Sequence, residues 1–87
     1  MGGTTAEIIH RGEKFLVQTQ DNGPRAQAIE TLVYRRGRLV HSRKASWQPL
    51  LGRPDFEARL QDLIASQHRD VCADIPAGRL DHVLFKG

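Results

Sequence analysis

The sequence predicts an α+β fold: an antiparallel sheet of about four strands, in two hairpins, with one long C-terminal helix packed on one face. Three features predict it. In the first half of the chain, apolar and polar residues alternate, which is typical of strands with one buried face. Turns that contain glycine separate these stretches at short intervals. After residue 53, apolar residues recur at steps of three and four, the period of an amphipathic helix.

The length of 87 residues predicts a single domain over 1–87, with a sheet over 6–47, a helix over 54–75 and a tail over 76–87. A chain of this size buries only about 60% of its unfolded surface, so its core is small. The single cysteine excludes an intrachain disulfide and a cysteine-rich zinc site. No apolar run has the length of a membrane span, and the first residues lack signal-peptide features. We therefore expect a cytoplasmic protein without membrane insertion.

Residues 6–20 predict the first hairpin. A short apolar run ends at His10, and a turn with Gly12 follows it. From Phe15 to Gln20 the residues alternate, which places Phe15, Val17 and Thr19 on one face and Leu16, Gln18 and Gln20 on the other. Residues 21–24 (DNGP) favour a loop.

Residues 28–34 and 38–46 predict the second hairpin, whose register depends on its turn. If Arg36 and Gly37 are the two central residues, the facing pairs are Arg35 with Arg38, Tyr34 with Leu39, Val33 with Val40 and Glu30 with Arg43. Apolar residues then face apolar ones, and an opposite-charge pair closes the far end. Arginine is a poor first residue of a type I′ turn, so a longer loop is the alternative.

The helix is predicted from Pro54, which suits the first helical position, to the stop signals Pro76 and Gly78. Its apolar stripe has one polar gap and consists of Phe56, Leu60, Leu63, Ile64, Gln67, Val71, Cys72 and Ile75. The tail from Leu80 to Phe85 is another strand, a docked turn or an exposed segment. If the end of the stripe passes beyond the sheet, Val71, Cys72 and Ile75 join Leu80 and Phe85 in an apolar patch suited to a homodimer or to docking.

Motifs for chemistry are weak. The chain has neither a Walker loop nor a dinucleotide-binding glycine pattern. His68 and Cys72 lie four residues apart and could share a metal, but no third ligand is evident, and core residues are the more common explanation. Asp70 and Asp74 lie four residues apart and could act as an acid/base pair, but that spacing is typical of a solvated helix surface as well, and we favour the second explanation. We therefore expect a non-enzyme with no catalytic residues, no metal and no cofactor.

Positive charge is concentrated at the second hairpin. Residues 1–52 hold eight basic and four acidic residues, whereas residues 53–87 hold five and six. Arginine, tryptophan and tyrosine are common in protein interfaces, so we expect a partner-binding surface formed by Tyr34, Arg35, Arg36, Arg38, Arg43, Lys44 and Trp47. A solvated edge protected by charge is one alternative. Nucleic-acid binding through cations and stacked rings ranks below both, because so few cations bind weakly at physiological salt.

Four stretches together resemble a group of small bacterial proteins and domains met in motility- and polarity-related bacteria: residues 15–21 (FLVQTQD), 30–34 (ETLVY), 37–47 (GRLVHSRKASW) and 66–69 (SQHR). That group has a VQT(E/Q)D strand and a hairpin before a helix containing QH. The resemblance covers roughly residues 7–81. Two residues depart from the expected pattern: Gln20 stands where an acidic residue is the more expected choice, and Trp47 stands where a tyrosine is expected. The resemblance implies an adaptor or exchange-factor component that has no catalytic activity of its own and acts with a response-regulator protein on a small Ras-like GTPase.

Overall fold

The computed structural model describes residues 3–86 and confirms the predicted α+β fold. Its sheet has the strand order β1 (Gly3–His10), β2 (Glu13–Asp21), β3 (Ala28–Arg35) and β4 (Arg38–Ser46), with every neighbouring pair antiparallel. The long helix α2 (Phe56–Asp74) packs across one face. Shorter elements are α1 (Gly23–Ala26), a 3₁₀ turn (Gln48–Leu50) and α3 (Asp81–Leu84).

Both hairpins close through a two-residue Arg-Gly turn. Arg11 and Gly12 have φ of 53° and 78°, and Arg36 and Gly37 have φ of 55° and 79°. Positive φ at both central positions is the geometry of a type I′ turn, which matches the twist of the flanking strands. The two-residue turn predicted for the second hairpin is therefore present, and the longer loop is not.

The register of the second hairpin agrees with the prediction only next to the turn. Arg35 faces Arg38 and Tyr34 faces Leu39, as predicted, but a bulge then leaves Val40 as an extra residue. Beyond it Val33 faces His41 and Glu30 faces Lys44, so the predicted Glu30–Arg43 pair is wrong by one residue. Val40 packs against the turn-end side of the core although it has no partner in β3, because a bulge adds one residue to one strand only.

The helix begins two residues later than the sequence predicts. Pro54 lies in a turn before α2, and Asp55 is the residue that precedes the first helical one. The Asp55 carboxylate accepts hydrogen bonds from Arg53 at 3.0 Å and from Arg59 at 2.9 Å. These bonds hold the pKa of Asp55 well below its usual range, at about 2.

The core has two apolar clusters beneath α2. The turn-end cluster lies next to the two hairpin turns and contains Phe15, Val17, Val33, Val71, Ile75, Leu80 and Leu84. The loop-end cluster lies at the other end of the sheet and contains Ile29, Trp47, Leu60 and Ile64. The face predicted for Phe15, Val17 and Thr19 is therefore the buried one.

The tail is a docked turn that completes the turn-end cluster. Leu80 and Leu84 are 6% and 1% exposed, and Val71 and Ile75 are fully buried. The predicted apolar patch at the end of α2 is therefore wrong, because α3 folds back and covers these residues. Among residues 3–86, no helix is both long and apolar enough to cross a membrane.

Candidate protein-interaction site

Trp47, which is predicted from the sequence to belong to the partner-binding surface, is a core residue of the fold. Its side chain is 5% exposed and packs edge-on against Phe56, with 5.4 Å between the ring centroids. Its indole N–H donates to the Asp21 carboxylate at 2.9 Å. The aromatic ring expected to stack on a partner instead joins the end of β4 to the start of α2.

Arg35 and Arg43 also hold the fold together. Arg35 donates to the Glu13 carboxylate at 3.2 Å and to the backbone carbonyl of Leu84 at 3.0 Å. Arg43 donates to the Asp74 carboxylate at 3.1 Å, which joins β4 to the last turn of α2. Both guanidinium groups are partly buried and already paired within the fold, so they are less available to a partner than Arg36 and Arg38.

The remaining predicted residues lie on the surface, but they do not form one patch. Arg36 and Arg38 are exposed at the hairpin turn, and Tyr34 is half-buried. Lys44 is exposed at the far end of β4, where it faces Glu30. The structure therefore brings together Tyr34, Arg36 and Arg38, and separates Lys44 from them.

Two residues that the prediction missed complete the surface. Leu39, next to Arg38, is 54% exposed, and Lys86 follows α3. A shallow pocket between the second hairpin turn, the start of β4 and the C-terminal turn is lined by Arg35, Arg36, Arg38, Leu39, Val40, Val83, Leu84 and Lys86. We call Tyr34, Arg36, Arg38, Leu39 and Lys86 the hairpin-end surface. The alternation in β4 and the predicted Tyr34–Leu39 pair were a sequence signal for Leu39, whereas nothing in the sequence signalled Lys86.

The hairpin-end surface is electropositive. In the part of the chain that the structure describes, Glu13 is the one carboxylate that pairs with a cation of this surface, Arg36, and Glu13 also pairs with Arg35 within the fold. Arg38 and Lys86 have no ion-pair partner among residues 3–86. Arg36 is 75% exposed, so its interaction with Glu13 is screened and weak. An anionic group that approaches this end of the hairpin meets cations that are not neutralised internally.

The sheet face opposite α2 continues the apolar part of this surface. Leu16, Tyr34 and Leu39 face one another across β2, β3 and β4, with Glu7 of β1 beside Leu16. A second concave surface on this face is lined by Glu7, Gly12, Glu13, Lys14, Leu16, Gln18, Tyr34, Arg36 and Gly37. Arg36 borders both concave surfaces, so the hairpin end presents cations next to aliphatic and aromatic carbon.

Four side chains form a polar layer between the two apolar clusters. Thr19 and Thr31 are 2.7 Å apart, and Gln67 donates to Thr31 at 3.1 Å and to the carbonyl of Arg43 at 2.9 Å. Nδ1 of His68 is 2.8 Å from the Thr19 hydroxyl. Thr19 belongs to the VQT stretch, and Gln67 and His68 form the QH pair of the resembled group. In this chain those motif residues join the helix to the sheet.

The candidate metal pair does not gain further ligands. Nδ1 of His68 is bonded to Thr19, and burial raises the pKa of the Cys72 thiol, which favours the neutral thiol over a metal-binding thiolate. Within residues 3–86, no group of three or more His, Cys, Asp or Glu side chains is placed to hold a metal ion.

Comparison of this chain with protein-family models, with curated proteins and with solved structures finds no match.

Proposed function

We propose that this chain is a non-catalytic protein-interaction module, an adaptor whose hairpin-end surface binds an acidic, partly apolar segment of a partner protein. The observation that carries the proposal is Leu39, which is 54% exposed between cationic side chains. Carboxylates of the partner would pair with Arg36, Arg38 and Lys86. An apolar side chain of the partner would cover Leu39 and Tyr34.

The exposed leucine favours a protein over the two alternatives. If the only role of this edge were to prevent aggregation, charged side chains would suffice, and an exposed leucine would promote the aggregation that they prevent. Single-stranded nucleic acid is bound by cations together with aromatic rings on which bases stack. Trp47 is buried and cannot serve in this way, which leaves Tyr34 as the one aromatic residue of the surface. A cationic rim around exposed apolar carbon is instead typical of contact with another protein.

The class of partner rests on the resemblance alone. Under the proposal, the partner of this chain is either a small Ras-like GTPase or a response-regulator-like protein that acts together with this chain on the GTPase. The complex would form in the cytoplasm of a bacterial cell and regulate the GTPase in cell polarity and motility.

Photo-cross-linking in the native cell tests the proposal. A benzophenone amino acid in place of Leu39 should form an adduct with a protein, and the cross-linked segment of that protein should contain acidic residues. Leu51 is 49% exposed and lies outside the hairpin end, so the same amino acid at position 51 is the matched control. Adding Arg36→Glu and Arg38→Glu should abolish the adduct at position 39.

Two outcomes would overturn the proposal: the same adducts at positions 39 and 51, or an adduct at position 39 that persists after both charge reversals. Fluorescence anisotropy with single- and double-stranded oligonucleotides tests the nucleic-acid alternative. Three cations can neutralise only a few phosphates, so charge alone would give weak binding that is lost at physiological salt. Binding that stays tight at physiological salt and is lost with Arg38→Glu would therefore favour the nucleic-acid alternative. If the cross-linked partner is a GTPase, its nucleotide-exchange rate with and without this chain gives the regulatory effect.

A further inference from the structure

The two edges of the sheet differ in how well they are protected against pairing with another strand. The edge strand β4 carries Arg38, Arg43 and Lys44, contains the bulge at Val40 and has α3 packed against it. Charge, bulges and covering elements are the devices by which proteins block an edge. Within the described residues, the edge strand β1 has a single carboxylate, Glu7, and no bulge.

Strand β1 is long and regular for an unprotected edge. It pairs with β2 over all eight residues from Gly3 to His10 without a register shift. Apart from His10, Glu7 is its only ionisable residue. The pair His10–Glu13 closes the two-residue turn, and such a closing pair exchanges backbone hydrogen bonds. Because bonding alternates along the strand, Thr5, Glu7 and Ile9 direct their backbone N–H and C=O groups away from β2.

We propose that β1 pairs with β1 of a second copy of this chain. The two strands run antiparallel about a two-fold axis perpendicular to the sheet. The dimer then has one continuous eight-stranded sheet, with the α2 helices of both copies on the same face. This interface is independent of the hairpin-end surface, because β1 and β4 are the opposite edges of each sheet.

The register of the pairing follows from two conditions. Residues that face each other must lie on the same side of the sheet, so odd-numbered residues face odd-numbered ones. The longest overlaps then centre either on Ala6 or on Glu7. Centring on Glu7 places that carboxylate opposite its own copy, and like charges directly opposite are destabilising. Centring on Ala6 places Glu7 opposite Thr5, with their outward backbone groups bonded, and this is the register we propose.

This register also covers apolar surface that is exposed in the single chain. Ile9 is 63% exposed and would stand opposite Gly3 of the other copy, whose missing side chain leaves room for it. On the helix side, Ile8 would stand opposite Thr4 of the other copy. Thr4 borders a groove between β1 and α2 that is also lined by Gly3, Gln61, Ile64, Ala65, His68 and Arg69, and Ile8 would lie at its mouth.

Sedimentation equilibrium of the whole chain tests the dimer. The expected mass is about twice the 9.8 kDa of one chain, falling toward one chain on dilution. Thr5→Pro removes a backbone N–H that makes no bond within the sheet and should give a folded monomer. Thr5→Val keeps that N–H and should remain a dimer. A monomeric wild-type chain up to millimolar concentration overturns the proposal, as does a Thr5→Pro protein that stays dimeric.

Cross-linking tests the register and remains decisive if Thr5→Pro does not fold. In a Cys72→Ala background, Ala6→Cys should form a disulfide between copies under mild oxidation, because facing strand residues have Cα atoms about 4.5–5.5 Å apart. Thr4→Cys is the matched control on the same face. In this register its sulfur is offset from its own copy by roughly 13 Å along the strand and should not cross-link. Equal disulfide formation by both variants, or by neither, contradicts the proposed β1 dimer. Loss of the photo-cross-link at position 39 would bear only on the proposed function.

Discussion

One arrangement of hydrogens lets both threonine hydroxyls of the polar layer accept and donate. Gln67 donates to Thr31, the Thr31 hydroxyl donates to Thr19, and the Thr19 hydroxyl donates to Nδ1 of His68. This requires a neutral His68 with its proton on Nε2. A protonated His68 would donate from Nδ1 and reverse the chain. The Thr31 hydroxyl hydrogen would then lack an acceptor in the layer, which carries a free-energy cost for a buried group.

His41 is the second histidine that favours its neutral form. Its Nε2 is buried and has no hydrogen-bond partner among the described residues. Burial lowers the pKa of His41, and the nearby charges of Arg43 and His82 lower it further, whereas Asp74 acts in the opposite direction. Burial alone lowers the pKa of His68. Both side chains therefore bind protons less readily in the folded chain than in the unfolded one.

We predict that mild acid destabilises the fold through these two histidines. Because their folded pKa values lie below the ordinary 6.5, their contribution is complete above that pH and is lost as the pH falls through the folded values. Urea unfolding should give a lower free energy of unfolding at pH 5.5 than at pH 7.5. Asp55, with a pKa of about 2, stays ionised throughout this window. The double variant His41→Gln, His68→Gln should lose most of the pH dependence; an unchanged slope in that variant would falsify the assignment.

At the scale of single elements, the two hairpin turns place arginine where the backbone disfavours it. The left-handed region costs a residue with a Cβ roughly 1–2 kcal/mol, and asparagine tolerates it better. Arg11 offsets this cost with an interaction to Asp81 at 3.4 Å and a position 4.5 Å from the Phe85 ring centroid. Arg36 has only its exposed pair with Glu13. An uncompensated arginine at such a position is better explained by binding than by stability.

We predict that Arg36→Asn separates stability from binding. The free energy of unfolding should rise by about 0.5 kcal/mol, because asparagine suits the type I′ turn and the exposed ion pair contributes little. Cross-linking of the partner at position 39 should nevertheless fall. The matched control, Arg11→Asn, sits in the equivalent turn and should gain no stability, since it loses the contacts with Asp81 and Phe85, yet should leave cross-linking unchanged. Equal effects of both variants on the partner would remove Arg36 from the site.

The element scale also explains which parts of the fold could be predicted from the sequence. Alternation and helical spacing depend on burial of one face, so they predicted the four strands, α2 and the two faces of β2 correctly. The bulge at Val40 was missed because alternation carries no signal for a single extra residue in one strand, and Val40 packs against a cluster that includes Leu80 and Leu84 from the distant C-terminal turn. The burial of Trp47 was missed for a related reason, since its partners, Asp21 and Phe56, come from distant parts of the chain.

At the scale of the whole molecule, the C-terminal turn joins both hairpins to the end of α2. His10 is 2.9 Å from the Asp81 carboxylate, and the Phe85 ring lies between Arg11 and Arg35, 5.3 Å from the latter guanidinium. Leu84 is 1% exposed in the turn-end cluster, and its carbonyl accepts a hydrogen bond from Arg35. The same turn places Lys86 beside the hairpin, so the core and the hairpin-end surface depend on each other.

We predict that Leu84→Ala weakens both the fold and the proposed site. Removing a buried leucine side chain costs about 2–5 kcal/mol, a large fraction of the roughly 4–13 kcal/mol expected for a domain of this size. Urea unfolding measures this loss, and Leu51→Ala, at a leucine that is 49% exposed, should change stability by no more than about 0.5 kcal/mol. At temperatures where Leu84→Ala remains folded, cross-linking at position 39 should fall further than it does for Lys86→Ala, because the cavity frees the whole turn and loosens Arg35 as well. If Leu84→Ala is as stable as Leu51→Ala, the C-terminal turn is not part of the cooperative core, and its link to the hairpin-end surface fails with it.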